Sequence, residues 1–377
     1  MRALIALATV SVGCSKLLGI TDPSVGGDAR DGGDGDAIDS RFDAPPDCTT
    51  NPVFGAEATY ELGAPGTDLA FGNLDANTGG TRDVAIALGT QIAIWLNDGS
   101  GGLAVGTPIA TAADGVIVED FTADGFVDLV AWKVGGMTVV ERQHDENTRG
   151  TYLPEQALPG PFTGVVSVKL GFLDGAFNPD LLVQDGSERR VYTSNLGTLG
   201  TFSREETVGA AGDDLVVVDE IDGVSRDDAA FIDGAGAVKL ARNTAGGFTT
   251  TTTIASGARP GAVGFGDFDA TAGTDLMVGT TGGGVLYSQT APGTFVEVAG
   301  TIDGITSPMQ VIDANGDGTQ DLVLTSGLVL QCPGTRVFSQ RVGIPITAPY
   351  ELVDLTKDGK PDLVRVDGSQ LKVRIQQ

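Results

Sequence analysis

The stretch DANGDGTQD, Asp313 to Asp321, places Asp313, Asn315, Asp317 and Asp321 at positions 1, 3, 5 and 9 of a nine-residue segment, with Gly318 at position 6. Side chains spaced in this way bring hard oxygens to one side of a turn, where they can converge on a cation. A glycine at the sixth position lets the backbone bend sharply beneath them. An EF-hand would also require a bidentate Glu at position 12 and a helix on either side. Position 12 is Leu324, so a different kind of calcium loop is expected.

The loop recurs. Asp120 opens DFTADGFVD, Asp267 opens DFDATAGTD and Asp354 opens DLTKDGKPD, while Asn73 opens NLDANTGGTRD, the same order with two extra residues. FLDGAFNPD from Phe172 and DEIDGVSRD from Asp219 keep the final Asp and lose most of the other oxygens. Loop starts at 73, 120, 172, 219, 267, 313 and 354 are separated by 47, 52, 47, 48, 46 and 41 residues. Seven units of near-constant length define a repeat architecture. At position 12 the loops from Asp120 and Asp354 carry Ala131 and Arg365, which again excludes an EF-hand.

After each loop comes a short run such as DVAIAL, DLVAW, DLLVQ, DLMVG or DLVLT, rich in β-branched and apolar residues and soon interrupted. These are strand signals. A further strand ending in an Asn/Asp/Gly turn follows, as in IAIWLNDGSGG from Ile92, and then another, as in GTFVEVAG from Gly293. Four short strands in about 47 residues is the arithmetic of a propeller blade, so an all-β, seven-bladed β-propeller of four-stranded blades is expected. The last unit, Tyr350 to Gln377, offers only three strands, and VFGAEATYELG from Val53 precedes the first loop. The N-terminal strand should complete the last blade and remove two open edges. The 56 glycines and only 4 methionines suit such a chain.

Residues 1–13, MRALIALATVSVG, carry Arg2 and then an apolar run too short to span a bilayer, as in a signal peptide. Ser11-Val12-Gly13-Cys14 resembles a bacterial lipobox, which implies lipidation of Cys14; plain secretion is the alternative. Residues 14–47 are acidic and nearly free of large apolar side chains, and should form a flexible tether to a domain at 48–377. Setting Cys14 aside leaves Cys48 and Cys332, an even pair in an oxidising compartment, for which a disulfide is expected. The formal net charge of -27 disfavours nucleic acid or an anionic membrane surface as a partner. A lipid anchor would be the one membrane attachment, at a bacterial cell envelope or surface.

The unit, in its form GDFDATAGTDL at Gly266 to Leu276, resembles the FG-GAP or VCBS repeat of the integrin α-subunit propeller and of many secreted bacterial proteins. The resemblance covers residues 53–377 and implies Ca2+ in loops between the first and second strands of some blades. Carried over by position, the ligands would be Asp313, Asn315, Asp317 and Asp321; Asp354, Thr356, Asp358 and Asp362; Asp120, Thr122, Asp124 and Asp128; and Asp267, Asp269, Thr271 and Asp275. Asn73, Asp75, Asn77 and Asp83 form a fifth, stretched set, and Ala272 departs from the glycine expected at position 6. Capping of backbone N–H groups without metal is the competing reading, and is preferred for the loops at Phe172 and Asp219.

No catalytic constellation emerges. His144 is the single histidine, in the charged stretch ERQHDEN that reads as a solvated surface loop. Zinc chemistry and a Ser-His-Asp triad therefore lack support. Trp95, Trp132, Tyr152 and Tyr287 could grip a sugar or a peptide, although both tryptophans lie in apolar strand patterns and read as inter-blade core. The expectation is a monomeric, non-catalytic binding or adhesion module for a protein or carbohydrate ligand. The alternative is a carbohydrate-active enzyme, a lyase or glycoside hydrolase built on two of the 50 acidic residues.

Overall fold

The computed structural model describes residues 50–377 apart from 146, 177, 187, 195–201, 211–213, 224, 246, 270–272, 299–301, 303–304, 306–307 and 345. The signal segment, Cys14, the tether and Cys48 lie outside the described residues. The architecture is all-β: seven four-stranded antiparallel blades. Blade 1 comprises Asp68–Gly72, Asp83–Ala87, Ile92–Asn97 and Leu103–Val105; blade 2, Gly115–Glu119, Asp128–Trp132, Val139–Arg142 and Gln156–Ala157. Blade 3 comprises Val165–Gly171, Asp180–Asp185, Glu188–Ser194 and Phe202–Ala210; blade 4, Asp214–Asp219, Asp228–Ile232, Val238–Thr244 and Gly247–Ala255. Blade 5 comprises Ala258–Gly266, Asp275–Thr280, Gly283–Ala291 and Thr294–Glu297; blade 6, Met309–Ile312, Asp321–Leu324, Gly327–Gln331 and Phe338–Val342. Blade 7 has Tyr350–Val353, Asp362–Asp367 and Gln370–Arg374, completed by the N-terminal strand Ala58–Glu61.

That closing strand pairs in register, Ala58 opposite Val373 through Glu61 opposite Gln370. Glu57 fastens it further, accepting from Arg365 Nη2 and Arg374 Nε at 3.0 Å each. The first strands of neighbouring blades touch one another around the axis, so they are innermost. Apolar side chains form a cluster between each pair of adjacent blades, from blades 7 and 1 round to blades 6 and 7. Trp95 belongs to the 7–1 cluster and Trp132 to the 2–3 cluster, as core residues. Second strands are covered on both faces. Every residue of Asp83–Ala87, Asp128–Trp132 and Asp228–Ile232 is buried, which is why they read as unbroken apolar runs instead of alternating.

Candidate functional site

Antiparallel strand order places every Asp-rich loop at one end of its blade, between first and second strands. The Asp that ends the loop begins the second strand in all seven blades: Asp83, Asp128, Asp180, Asp228, Asp275, Asp321 and Asp362, each at most 1% exposed. In blade 6, Asp321 Oδ2 accepts the N–H of Ala314 at 3.0 Å, and Oδ1 accepts that of Gln331, at the end of the third strand, at 2.8 Å. Asp362 accepts from Leu355 and Gln376, Asp275 from Phe268 and Gln289, and Asp180 from Leu173, Asp174 and Ser194, in the same way. One carboxylate therefore ties the loop to two strands. Burial pushes its proton affinity up, to about 6 for Asp83 and Asp180 and about 7 for Asp128, Asp228 and Asp321. Asp275 and Asp362 shift in the same direction for the same reason.

The fourth loop corrects the sequence register. Its strand-opening Asp is Asp228, whose Oδ1 accepts the Asn243 N–H at 2.6 Å, so the loop begins at Glu220 and not at Asp219. Asp227, the expected end, points elsewhere and accepts the Phe172 N–H of blade 3 at 2.7 Å. Two adjacent aspartates made the sequence ambiguous, and burial of the second resolves it.

Earlier loop positions shape the turn. Asp313 Oδ1 accepts the N–H groups of Gly316 and Asp317 at 2.8 and 3.1 Å, and Oδ2 accepts that of Gly318 at 2.8 Å. Asp120 and Asp354 do the same for Gly125 and Gly359 at 2.9 and 3.0 Å. Gly125, Gly318 and Gly359, the sixth positions, have φ of 87°, 87° and 84°, a left-handed conformation that favours glycine. Asp124, Asp317 and Asp358 cap the N–H two residues on, at 2.8 to 2.9 Å. The stretched loop uses Asn73 and Asp75, both accepting from the Asn77 N–H at 3.0 Å.

These contacts are the capping pattern, and they leave acceptor capacity because each carboxylate oxygen carries two lone pairs. Thr356, third in the blade 7 loop, has a buried Oγ1 with no hydrogen-bond partner, an oxygen that fits a cation's donor set. Among the described residues, one group of three carboxylates has oxygens within 4.8 Å of one another: Asp267, Asp269 and Asp275 of blade 5. Asp269 Oδ2 is also met by the Arg336 guanidinium and by Ser288 Oγ at 2.5 Å. Thr271 and Ala272 lie outside the described residues. Cys332 is buried and disulfide-bonded, and Cys48, its expected partner, lies outside the described residues. Asn315 Nδ2 donates to the carbonyl of Thr50 at 3.1 Å, which brings the start of the described chain to blade 6.

A set of buried amides was missed in the sequence. The side chains of Asn97, Asn243, Gln289 and Gln331 each donate to the main-chain oxygen of the second loop residue in the preceding blade: Leu355, Leu173, Ile221 and Phe268, at 2.6 to 2.8 Å. Gln376 reaches Ala314 in the same way at 3.1 Å with its amide nitrogen turned inward. They follow the buried Asp by 14, 15, 14, 10 and 14 residues, a spacing blurred by unequal third strands and turns. In blade 2 the position is taken by His144, which is 2% exposed, stacked on Phe126 at 4.8 Å and edge-on to Tyr152. The expectation of a solvated loop histidine is therefore wrong: a bridge between His144 and Tyr152 folds the charged stretch back over it. Tyr152 and Tyr287 pack against inter-blade clusters.

On the inner strands, Asp68 and Glu351 repel one another and are pushed up to about 6 and about 7, mainly by desolvation, with Arg82 opposing the rise at Glu351 and Lys169 at Asp68. Asp68 Oδ2 accepts the Val116 N–H of the next blade at 3.0 Å. A shallow cavity of about 120 Å³ lies farther out, beside Glu61, Gln91, Trp95 and Val105, and holds a single carboxylate.

No protein-family model matches the chain, and no curated protein matches it. Solved structures do. BBS1N in its complex with ARL6DN shares 12% identity over 86% of this chain and 97% of that one, with a TM-score of 0.56. An Agrocybe aegerita lectin that recognises non-reducing terminal N-acetylglucosamine shares 15% over 79% and 82%, also with a TM-score of 0.56. At these identities the likeness is one of fold.

Proposed function

We propose that the chain is a calcium-stabilised, non-catalytic binding or adhesion module of the FG-GAP/VCBS type, presented as a monomer at a bacterial cell surface by a lipid on Cys14. Its ligand is a protein or a carbohydrate. The observation that carries the reading is the repeated loop. The same carboxylate-capped turn, opened by Asp120, Asp313 or Asp354, stands at one end of three blades, and in blade 7 an orphaned Thr356 oxygen is added to it. Ion bound there would cross-link adjacent strands and hold that face rigid. The opposite face, formed by the turns between second and third strands and the connections between blades, is left to vary and to bind. Two chains of the same architecture, one in complex with a protein and one recognising a sugar, support a binding role by analogy of fold.

A second reading rests on Asp68 and Glu351, two carboxyls with raised proton affinity on the inner strands, the property a glycan-cleaving acid would need. A glycan array probed with the purified protein, followed by analysis of the glycans for cleavage, separates the two. Dose-dependent retention without product supports the binding module. Product formation that is lost in Glu351→Gln supports the enzyme.

A further inference from the structure

The third position of the Asp-rich loop is Asp222 in blade 4 and Asp269 in blade 5, and the structure sets an arginine on each. Arg242, from the third strand of blade 4, donates from Nε to Asp222 Oδ2 at 2.8 Å and adds Nη2 to the same oxygen. Arg336 arrives from the next blade, from the turn between Gln331 and Phe338, and places Nη2 on Asp269 Oδ2, where Ser288 Oγ also donates. Both carboxylate side chains are 0% exposed. The corresponding residues of blades 2, 6 and 7 are Thr122, Asn315 and Thr356, which carry no charge and need no counter-ion, while Asp75 of blade 1 and Asp174 of blade 3 accept the N–H two residues on, from Asn77 and Ala176.

A guanidinium and a calcium ion make incompatible demands on one carboxylate. Calcium takes six to eight oxygens at roughly 2.3–2.6 Å, whereas Arg336 and Ser288 together fill both lone pairs of Asp269 Oδ2 and the guanidinium's permanent positive charge repels the ion. We propose that Arg336 is the resident cation of the blade 5 loop. It neutralises the cluster of Asp267, Asp269 and Asp275 from the neighbouring blade, ties blades 5 and 6 together, and keeps that loop free of divalent ion, although among the described residues it is the loop whose three carboxylates come within 4.8 Å of one another. Arg242 holds Asp222 in blade 4 in the same way. This inference rests on the calcium reading of the other loops. It sets the loops of blades 4 and 5, which carry their own cation, apart from those of blades 2, 6 and 7, which wait for an ion.

The test is calcium stoichiometry by isothermal titration on the full chain, with the unfolding midpoint in chelator measured for every variant. In Arg336→Gln the number of bound calcium ions should rise by one, and the midpoint should fall in chelator and recover in calcium. Asp269→Asn should leave the wild-type stoichiometry unchanged. The inference is overturned if Asp269→Asn removes one ion, or if a folded Arg336→Gln gains none. Asp313→Ala with Asp317→Ala reports separately on the calcium reading, since it should remove one ion. If wild type binds none, that reading fails, and a single ion gained by Arg336→Gln would still support the role of Arg336.

Discussion

The side-chain nitrogen of Asn97, in the first blade, donates to the main-chain oxygen of Leu355, in the last, at 2.8 Å across 258 residues of sequence. Together with the closing strand Ala58–Glu61, this bond fastens the ring. The same nitrogen satisfies the Arg82 carbonyl at 3.1 Å. Asn97→Ala strips two carbonyls of a buried donor and should cost about 1–3 kcal/mol. A urea midpoint lowered without a change in slope would show it. A variant as stable as wild type would mean the ring is held by strand pairing and packing alone.

Asp180 isolates the structural part of the loop, because its blade 3 loop opens with Phe172 and is not expected to take an ion. Asp180→Asn keeps the shape but turns an NH2 group toward one set of N–H donors, from Leu173 and Asp174 or from Ser194. The loss should be about 2–3 kcal/mol. It should be the same in chelator and in calcium. A loss that appears only in calcium would mean that this loop holds metal.

Stability should fall as pH rises from about 4 to about 7 in chelator. Asp68 and Glu351, pushed up to about 6 and about 7, hold their protons more tightly folded than unfolded, so the folded state binds more protons in this window. Raising the pH through the folded values removes that advantage. The strand-opening aspartates add to the trend in the same direction. Glu351→Gln should therefore shrink the drop in urea midpoint between pH 5 and pH 8 without abolishing it. An equal drop in both proteins would contradict the raised affinity of Glu351.

Glu57 is the shared acceptor of Arg365 and Arg374, and Arg365 is 7% exposed in its side chain. Glu57→Ala leaves a nearly buried guanidinium with Asp367 at 3.5 Å as its counter-charge and Thr347 Oγ1 as a neutral acceptor at 2.9 Å, and should cost about 1–3 kcal/mol. Native-state hydrogen exchange should speed up first in Ala58–Glu61. Unchanged protection of that strand would show that Glu57 contributes little to closure.

The fold was legible because one loop repeats seven times, and because each second strand, sealed on both faces, reads as an unbroken apolar run such as DVAIA or DLVAW. The closing strand was legible from a blade that stopped one strand short. The blade 4 register was not, since Asp227 and Asp228 are adjacent and are distinguished by burial and by which N–H groups they accept in the fold. His144 was misplaced because its charged neighbours speak for solvent, whereas Phe126 and Tyr152 cover its ring. The amides of Asn97, Asn243, Gln289 and Gln331 answer to carbonyls in another blade, at 63 to 258 residues' distance, and Arg336 to a carboxylate 67 residues away. No local pattern encodes such pairs.

The most direct measurement is the thermal unfolding midpoint of the full chain in excess chelator and then in millimolar calcium, for wild type and for the double variant Asp313→Ala, Asp317→Ala. An ion that binds only the folded state stabilises it by about 2.7 kcal/mol per site at a hundredfold excess over its dissociation constant. The expected result is a large rise in wild type and a smaller one in the variant. No rise in wild type would contradict a calcium-set propeller and leave DANGDGTQD as a turn held by its own carboxylates.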